Sequence, residues 1–485
     1  MSFRFKTKGG VGGNILSMKQ NTANSCPFQS DEPKHQPTLN PVGQWPPGPH
    51  SGLTGWHLLS DIAGDPLAVL TRWQREFGDL VHLRIWPEHE VVVTDPVLVR
   101  DLLIHHHEGL IRWERGINVF SQAQGHGVFV AEGSEWQNKR HALLGSFTPK
   151  AVHGFLQNIV SATDQALADW PPSHLNWPIE SALTSLAMDV IVRLLFSCAI
   201  GADVGQAEHA VQTLMTEANS EMYWPVSAPI WAPWKRAKRQ SLAFLDKMID
   251  SHVQARLSLP QAHWPEDLLT SLLTLHKTDA QAWPLKAVRD ECMTTFLAGH
   301  ETVAATLTWW AWCMASNPQA QTQAKQEVQQ HLQGRSPSSE DLSKLTYLTQ
   351  TLKETLRLYP AAPLLFTRRL TQAVVLGPWQ LPAKTMLVLP IRLMHLDPRW
   401  FADPCDYKPE RFDPDAPPPQ RGSFLPFGVG PRVCLGQHLA MMEMTVIAAM
   451  VLQRFTLSLP SGASETKPKL NVSLRPEHPL HLVLA

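Results

Sequence analysis

Residues 424–439, FLPFGVGPRVCLGQHL, gather three glycines, two prolines and an arginine around one cysteine. The glycines, at positions 428, 430 and 436, let the backbone approach a flat partner more closely than a Cβ would allow. From about residue 437 the chain is strongly apolar at helical spacing. The loop therefore presents Cys434 at the start of a helix, where free N–H groups and partial positive charge favour a thiolate.

The surroundings of Cys434 limit what its sulfur can bind. Zinc needs three or four ligands, and no second cysteine or histidine has suitable spacing apart from the adjacent His438. A lone thiolate on a tight, glycine-lined loop is typical of the axial ligand of haem iron. The other five cysteines are far apart without a C-x-x-C pair, so we expect free thiols in a reducing compartment.

The composition excludes several classes of protein. The chain has 485 residues, of which 44% are hydrophobic and 18% charged, and its formal net charge is -1. No strong charge of either sign points to nucleic acid or to an anionic membrane. Residues 1–44 are mostly polar, with neither a membrane-spanning run nor a signal peptide, and we expect a disordered tail on a cytoplasmic protein without a transmembrane anchor.

The rest of the chain reads as one domain. Residues 65–78 have helical spacing, and residues 79–94 read as two short strands. From about 135 to 360 nearly every segment has a helical apolar period, whereas short β-like pieces follow residue 363. The sequence predicts a single, mainly α domain with a minor β portion over residues 45–485.

A long helix is predicted over residues 285–317, because it is apolar around most of its circumference and ends at Asn317-Pro318. Its centre, AGHET (298–302), interrupts the apolar run. The Thr302 hydroxyl can bond back to the carbonyl of Ala298 and open a groove for a small ligand and a water, with Glu301 relaying protons. A kink whose glutamate has a purely structural partner is the alternative interpretation.

Two further pairs have the spacing of one helical face. Glu354 and Arg357 lie among apolar residues, and with Arg411 we interpret them as a structural triad that holds the loop before Cys434. Trp136 and Arg140 present an indole N–H and a guanidinium to one side, which suits an anion such as a carboxylate. A surface arginine stacked on a tryptophan is the simpler explanation of that second pair.

Taken together, these segments resemble the cytochrome P-450 superfamily of haem-thiolate monooxygenases, in the form of its soluble bacterial members. The cysteine loop, with Phe427, Gly430, Arg432, Cys434 and Gly436, resembles the haem-binding signature of that family. AGHET resembles its oxygen-activating groove, the Glu354 and Arg411 segments its charge triad, and Trp136-x-x-x-Arg140 its first haem-contacting helix. These elements stand in the family's order over about residues 45–485.

The resemblance implies a role for each matching residue. Cys434 would be the axial ligand of heme b, next to Gly436, and Phe427 would tune its electron donation. Trp136, Arg140 and Arg432 would bind the haem propionates, with Arg368 as a further candidate beside Arg369. Ala298 and Gly299 would form the groove, where Thr302 contacts dioxygen and water and Glu301 helps supply protons.

Three segments are expected to contact substrate: residues 113–131, 216–235 and 363–366. The second carries Trp224, Trp231 and Trp234 among prolines, which fits an apolar lid or a membrane-surface contact as well as a core use. We expect a lipophilic substrate of medium to large size, such as a fatty-acyl, terpenoid or polyketide-like molecule.

The sequence also predicts how the enzyme is reduced. No flavin or ferredoxin domain and no dinucleotide fingerprint accompany the loop, so we expect a monomer served by a separate ferredoxin or flavodoxin and its NAD(P)H reductase. Two alternatives stay open: a haem-thiolate peroxygenase or isomerase on the same fold, and a non-catalytic carrier of apolar ligands in which Cys434 is merely buried.

Overall fold

The structure is a computed structural model that describes residues 44–222, 227–463 and 465–485. The tail expected at residues 1–44 lies outside the described residues except for its last residue, and Trp224 lies outside them too. The fold is mainly helical with a minor β portion, which confirms the predicted class. Within the described ranges, no helix has both the length and the apolarity needed to cross a bilayer.

The helices predicted from periodicity are present close to their expected bounds. Asp65 caps the first turn of the helix that follows it, and Asn317 separates the long central helix from the next one. The described residues form α1 (Trp56–Gly64), α2 (Pro66–Phe77), α3 (Pro96–Ile104), α4 (Glu114–Gln124), α5 (Gly133–Leu144), α6 (Pro149–His153), α7 (Leu156–Ala168), α8 (Ile179–Phe196), α9 (Val204–Met222), α10 (Arg236–Leu257), α11 (Leu268–Thr278), α12 (Leu285–Ser316), α13 (Pro318–Leu332), α14 (Ser339–Leu342), α15 (Thr346–Leu358), α16 (Ile391–His395) and α17 (Gln437–Arg454).

Short strands form four small sheets in the described part of the chain. They are β1 (Leu80–Ile85), β2 (Glu88–Val93), β3 (Leu110–Arg112), β4 (His174–Trp177), β5 (Leu365–Leu370), β6 (Val374–Leu376), β7 (Trp379–Leu381), β8 (Met386–Leu389), β9 (Leu457–Ser458), β10 (Pro468–Leu470), β11 (Leu474–Pro476) and β12 (Leu482–Leu484). The largest sheet has the order β1-β2-β8-β5-β3, and β2 and β8 are its parallel pair. The antiparallel pairing of β3 with β5 sets Arg112 opposite Arg368.

Helix α12 forms the centre of the core. It packs against α8, α15 and α17, and most of its side chains are buried. At about 1.5 Å per residue it is long enough to cross the domain. The indole rings of Trp309 and Trp310 are fully buried, and Trp309 stacks on Tyr359 with 3.9 Å between ring centroids. A rigid central helix thus carries the residues predicted to form the groove.

The expected charge triad is present and buried. Glu354 and Arg357 form a bidentate pair with both side chains fully buried, and Arg411 Nε donates to Glu354 Oε1 at 3.3 Å. His395 continues this network towards the cysteine loop, since its Nε2 accepts the N–H of Leu425 at 3.0 Å. The prediction that the triad supports the segment before Cys434 is therefore confirmed.

One prediction about the cysteines is wrong. Cys198, Cys292 and Cys313 are free thiols as expected, but Cys405 is disulfide-bonded. The prediction depended on the wide spacing of the cysteines along the chain, and such spacing does not determine which residues the fold brings together.

Candidate active site

The cysteine loop is closed by its own backbone. The N–H of Cys434 donates to the carbonyl of Phe427 at 2.9 Å, so both predicted residues belong to one tight turn. Gly430 has φ +79°, and a Cβ there would lie 2.1 Å from the carbonyl oxygen of Leu103. Only glycine fits at that position, because both the backbone conformation and the contact exclude a side chain.

The loop leaves room for a flat group next to the sulfur. Cys434 is exposed. A Cβ on Gly436 would meet no atom within 4 Å, and one on Gly428 would touch only Leu365, at 4.0 Å. These two glycines therefore border open space, and no neighbouring protein atom requires them to lack a side chain. Such open space beside the sulfur is what a bound planar macrocycle requires.

The acidity of Cys434 differs from the sequence-based expectation. Burial raises the pKa of its thiol, and the Gly436 N–H and the Arg140 charge lower it only in part. The sulfur is accessible and its pKa is nevertheless raised, because the open space beside the sulfur is surrounded by protein and not by bulk water. The start of α17 alone therefore does not produce a thiolate, whereas coordination to a metal deprotonates a thiol outright.

Helix α5 packs Trp136 and Arg140 against the cysteine loop. The guanidinium of Arg432 lies 4.1 Å from the ring centroid of Trp136, and that of Arg140 lies 5.9 Å from it. Arg140 Nη2 donates to the carbonyl of Val433 at 2.9 Å, and Arg432 pairs with Glu132. The structure thus brings three predicted propionate ligands together beside Cys434.

Two more arginines come from neighbouring strands. Arg368 on β5 and Arg112 on β3 are opposite each other in register, and both are buried. Arg369 points to the other side of β5, as strand alternation requires, and pairs there with Glu88 and Glu114 at 2.8 Å each. Arg368 is therefore the member of the Arg368-Arg369 pair that faces the cluster, and Arg112 is a member that the sequence analysis missed.

The arginine cluster, which comprises Arg112, Arg140, Arg368 and Arg432, has an excess of positive charge. Among the described residues, Glu132 is the only one whose carboxylate interacts with these arginines. Burial and mutual repulsion lower the pKa of Arg112 well below its ordinary value and that of Arg368 to about 10. Arg112 Nε has no hydrogen-bond partner. Buried cations need paired anions, so a group with two carboxylates, such as haem with its propionates, fits this cluster.

Two of the groove residues interrupt the buried surface of α12. Ala298 and Thr302 are exposed although the helix on either side of them is largely buried, and Thr302 Oγ1 donates to the carbonyl of Ala298 at 2.9 Å as predicted. Gly299 lies on a different face of the helix. A Cβ there would come within 2.7 Å of Ile191 Cδ1, so its packing role is the close approach of α8, and its contact with haem stays a prediction.

Glu301 has a structural partner. Arg475 binds its carboxylate through two nitrogens, and the hydroxyl of Ser473 donates to Oε1 at 2.6 Å. This is the contact that the structural interpretation of AGHET expects, so the proton-supplying role of Glu301 stays a prediction. Within the described residues no hydrogen bond or ion pair joins Glu301 or Thr302 to the arginine cluster.

The segments expected to contact substrate converge near this cluster. Phe120 and Phe129 from the first segment each pack on Phe366 from the third with 5.8 Å between ring centroids, and their own centroids are 5.4 Å apart. The guanidinium carbon of Arg112 lies 5.2 Å from the Phe129 ring centroid and 5.3 Å from that of Phe366. The three rings, which we call the phenyl wall, therefore adjoin the proposed cofactor site.

The second expected segment joins the first through Arg115. Its guanidinium donates to the carbonyl of Glu221 at 2.6 Å and to the hydroxyl of Ser227 at 2.7 Å. Trp231 and Trp234 are instead exposed to solvent, with 74% and 70% of their surface accessible. The structure thus excludes a core use for these two tryptophans.

The loop that carries Phe129 is fixed to α12. The N–H groups of His126 and Val128 donate to the carboxylates of Asp290 and Glu291, each at 2.9 Å. Glu291 is buried and pairs with Lys139 of α5 at 3.0 Å. Residues 126–129 therefore have a backbone position set by the central helix.

Comparison with known proteins identifies this arrangement. A family model described as cytochrome P450 matches residues 46–484. This chain belongs to the cytochrome P450 family. The family implies a haem held by a cysteine thiolate, a redox partner, dioxygen and a substrate, and the cysteine loop and the arginine cluster fit that haem.

Two curated relatives of this cytochrome P450 are named as a hydroxylase and a monooxygenase. It is 28% identical to a cytokinin hydroxylase of Arabidopsis thaliana, with 85% of this chain and 82% of the relative aligned. It is 29% identical to the cyclooctat-9-en-7-ol 5-monooxygenase of Streptomyces melanosporofaciens over 80% of this chain and 84% of the relative. The protein LUTEIN DEFICIENT 5 of Arabidopsis thaliana is 27% identical, over 84% of this chain and 72% of its own. The chain is a cytochrome P450 monooxygenase.

Sequence reasoning missed two residues of the site, Arg112 and Arg475. Arg112 stands at the end of a three-residue strand, and a lone basic residue after two apolar ones is too common to be a signal. Arg475 is 174 residues from the glutamate that it binds. Both become recognisable only when the strands that carry them are paired.

Proposed function

We propose that this P450 inserts one oxygen atom of dioxygen into a C–H or C=C bond of a lipophilic substrate, with electrons from separate redox proteins. The substrate would be a fatty-acyl, terpenoid or polyketide-like molecule. The phenyl wall beside the arginine cluster supports this proposal most directly, because it offers a large apolar surface next to the cofactor site.

Each part of the chain has a defined task in this proposal. The arginine cluster and Trp136 would bind and orient the propionates, and the Cys434 loop would supply the thiolate that holds the haem. When bound through that thiolate, haem supplies the activation of dioxygen. The phenyl wall would orient the substrate and exclude water, while the Thr302 hydroxyl would offer a hydrogen bond in the groove and Glu301 would supply protons.

The substrate part of the proposal has a direct test. Lipophilic compounds of medium to large size should displace water and change the spin state of the haem, as followed by the shift of its main absorption band. Phe366→Ala should weaken binding of most of them, because it removes one ring of the phenyl wall. A shift caused only by small polar compounds would refute this part.

The same proposal includes the route of the electrons. A ferredoxin or flavodoxin with its NAD(P)H reductase would reduce the haem, as the family's need for a redox partner supports. Product should therefore form when such a pair is added, and turnover by the purified chain with NADPH alone would contradict this route. A monomer in the cytoplasm belongs to the same proposal, to be checked by size-exclusion chromatography and cell fractionation.

Two measurements separate the proposal from its alternatives. Turnover driven by peroxide that equals or exceeds turnover driven by dioxygen would favour a peroxygenase, and rearranged product without added oxygen would favour an isomerase. A carrier of apolar ligands would lack the red-shifted carbon monoxide band of thiolate-bound haem. We expect that band, together with dioxygen-dependent product.

A further inference from the structure

Glu301 is held by residues outside the helix that carries it. Arg475 Nη2 and Nε donate to its two oxygens at 2.8 and 3.1 Å, and Ser473 Oγ donates at 2.6 Å. Both partners belong to the hairpin of β10 and β11. Three donors on one carboxylate, two of them from a planar guanidinium, fix its orientation. The hairpin therefore determines where the carboxylate of the AGHET segment lies.

Arg475 also contacts the helices next to α12. Its Nη1 lies 3.4 Å from Glu180 Oε1 and 3.3 Å from Thr184 Oγ1, both on α8. Glu208 on α9 is close enough to interact electrostatically with Arg475, Glu180 and Glu301. Glu180 and Glu208 are partly exposed. The arginine thus stands between the groove and two carboxyl groups that reach solvent.

We propose that Arg475 is a positioning residue for the monooxygenase reaction: it holds the Glu301 carboxylate against the hairpin and connects it to Glu180 and Glu208, through which protons enter. This inference rests on the proposed role of Glu301 as a proton donor. Glu301 rests as a carboxylate: it accepts a proton that arrives from solvent on the Glu180 side and passes it to the groove. This transfer returns the side chain to its ionised form each time.

The charges around Glu301 support this role. Burial raises the pKa of Glu301, but Arg475 outweighs that effect and the net pKa lies below its ordinary value. The neighbouring His300 has a pKa lowered chiefly by burial. Without Arg475, burial would act unopposed, and Glu180 and Glu208 would add repulsion. Glu301 would then stay protonated near neutral pH and could not accept the next proton from the solvent side.

The test compares Arg475→Gln with a matched control, Arg193→Gln. Arg193 forms an ion pair of similar exposure with Asp189, on α8 away from the AGHET segment. With redox partners and a binding substrate, Arg475→Gln should lower product formation about tenfold or more, with more of the consumed electrons lost to peroxide. Arg193→Gln should keep the wild-type rate and coupling. Arg475→Lys, which retains the charge, should restore part of the loss and covers the case in which the glutamine variant folds poorly.

A second readout does not depend on activity. In the wild type the lowered pKa of Glu301 gives a stabilisation that is present above the carboxyl's unfolded pKa and is lost only in acid. In Arg475→Gln the pKa of Glu301 should be raised, so its protonated form stabilises the fold and this stabilisation is lost as the carboxyl ionises. The unfolding temperature should therefore fall as pH rises from about 5 to 8. Adding Glu301→Gln to that variant should remove this slope.

The outcomes separate the inference from the function that it depends on. Wild-type coupling and no new pH slope in Arg475→Gln would overturn the inference while leaving the monooxygenase proposal intact. A wild type without dioxygen-dependent product would overturn the proposed function instead. A pH slope without any loss of coupling would show a structural ion pair and would also overturn the inference.

Discussion

Arg357 offers a quantitative test of how the fold holds its cysteine loop. Its five N–H groups all have acceptors: two go to Glu354 at 2.7 Å each, and three go to the carbonyls of His395, Pro404 and Asp406 at 2.6 to 3.0 Å. The side chain is fully buried. The perturbation is Arg357→Met, which keeps the apolar stem and removes every one of these donors.

The structure gives the expected size of the effect. Removing one partner of a buried ion pair costs about 3–5 kcal/mol of unfolding free energy, because the other charge stays buried. Arg411 still contacts Glu354, which reduces this cost, but three carbonyls lose a donor at about 1–3 kcal/mol each unless water replaces it. We expect a loss of about 5 kcal/mol. For a chain of this size that corresponds to an unfolding temperature lower by about 5 °C.

The assay is thermal unfolding together with the haem content after gel filtration. Haem content should fall as well, since Arg357 holds His395 and His395 holds Leu425 at the start of the cysteine loop. The control is Arg335→Met, which removes an equally bidentate pair whose arginine is 52% exposed and should therefore cost much less stability. Equal losses of stability and haem in the two variants would refute the reasoning.

Four further predictions concern the site and the core. Cys434→Ser should abolish the red-shifted carbon monoxide band, because an alcohol cannot supply the thiolate; a retained band in the difference spectrum would contradict the ligand assignment. Arg112→Leu should weaken haem binding about tenfold or more by removing one of the four cations of the arginine cluster, as measured by haem transfer to apomyoglobin. Gly430→Ala should prevent stable folding because of its steric contact, whereas Gly436→Ala should fold, with circular dichroism near wild type, and bind haem poorly. Burial raises the pKa of Glu443 to about 8. The stabilisation from its protonated carboxyl is therefore complete below the unfolded pKa and is lost as pH rises through about 8. Glu443→Gln should remove this dependence when unfolding is measured at several pH values.

The helices that carry the site could be predicted from sequence because their signals are local. The central helix was expected to end at Asn317-Pro318, and α12 ends at Ser316. The Thr302 bond to Ala298 follows from a spacing of four residues on one helix. The Glu354–Arg357 pair follows in the same way from a spacing of three.

The remaining features of the site depend on contacts that no local pattern contains. The choice between Arg368 and Arg369 required the strand register that sets Arg368 opposite Arg112. The partner of Glu301 lies in a hairpin near the end of the chain, and helical periodicity cannot show what packs across a helix. The acidity of Cys434 depends on how much protein surrounds it, which sequence spacing does not measure.

Residues 126–129 are attached to α12 through their backbone, so the position of this part of the phenyl wall does not depend on which side chains it carries. The anchoring bonds begin at backbone N–H groups, which every residue type except proline possesses. Phe129 can therefore be exchanged for a smaller or differently shaped side chain while the main chain stays in register with the central helix. Such a wall can be altered to accept new molecules one side chain at a time, with little risk to the scaffold.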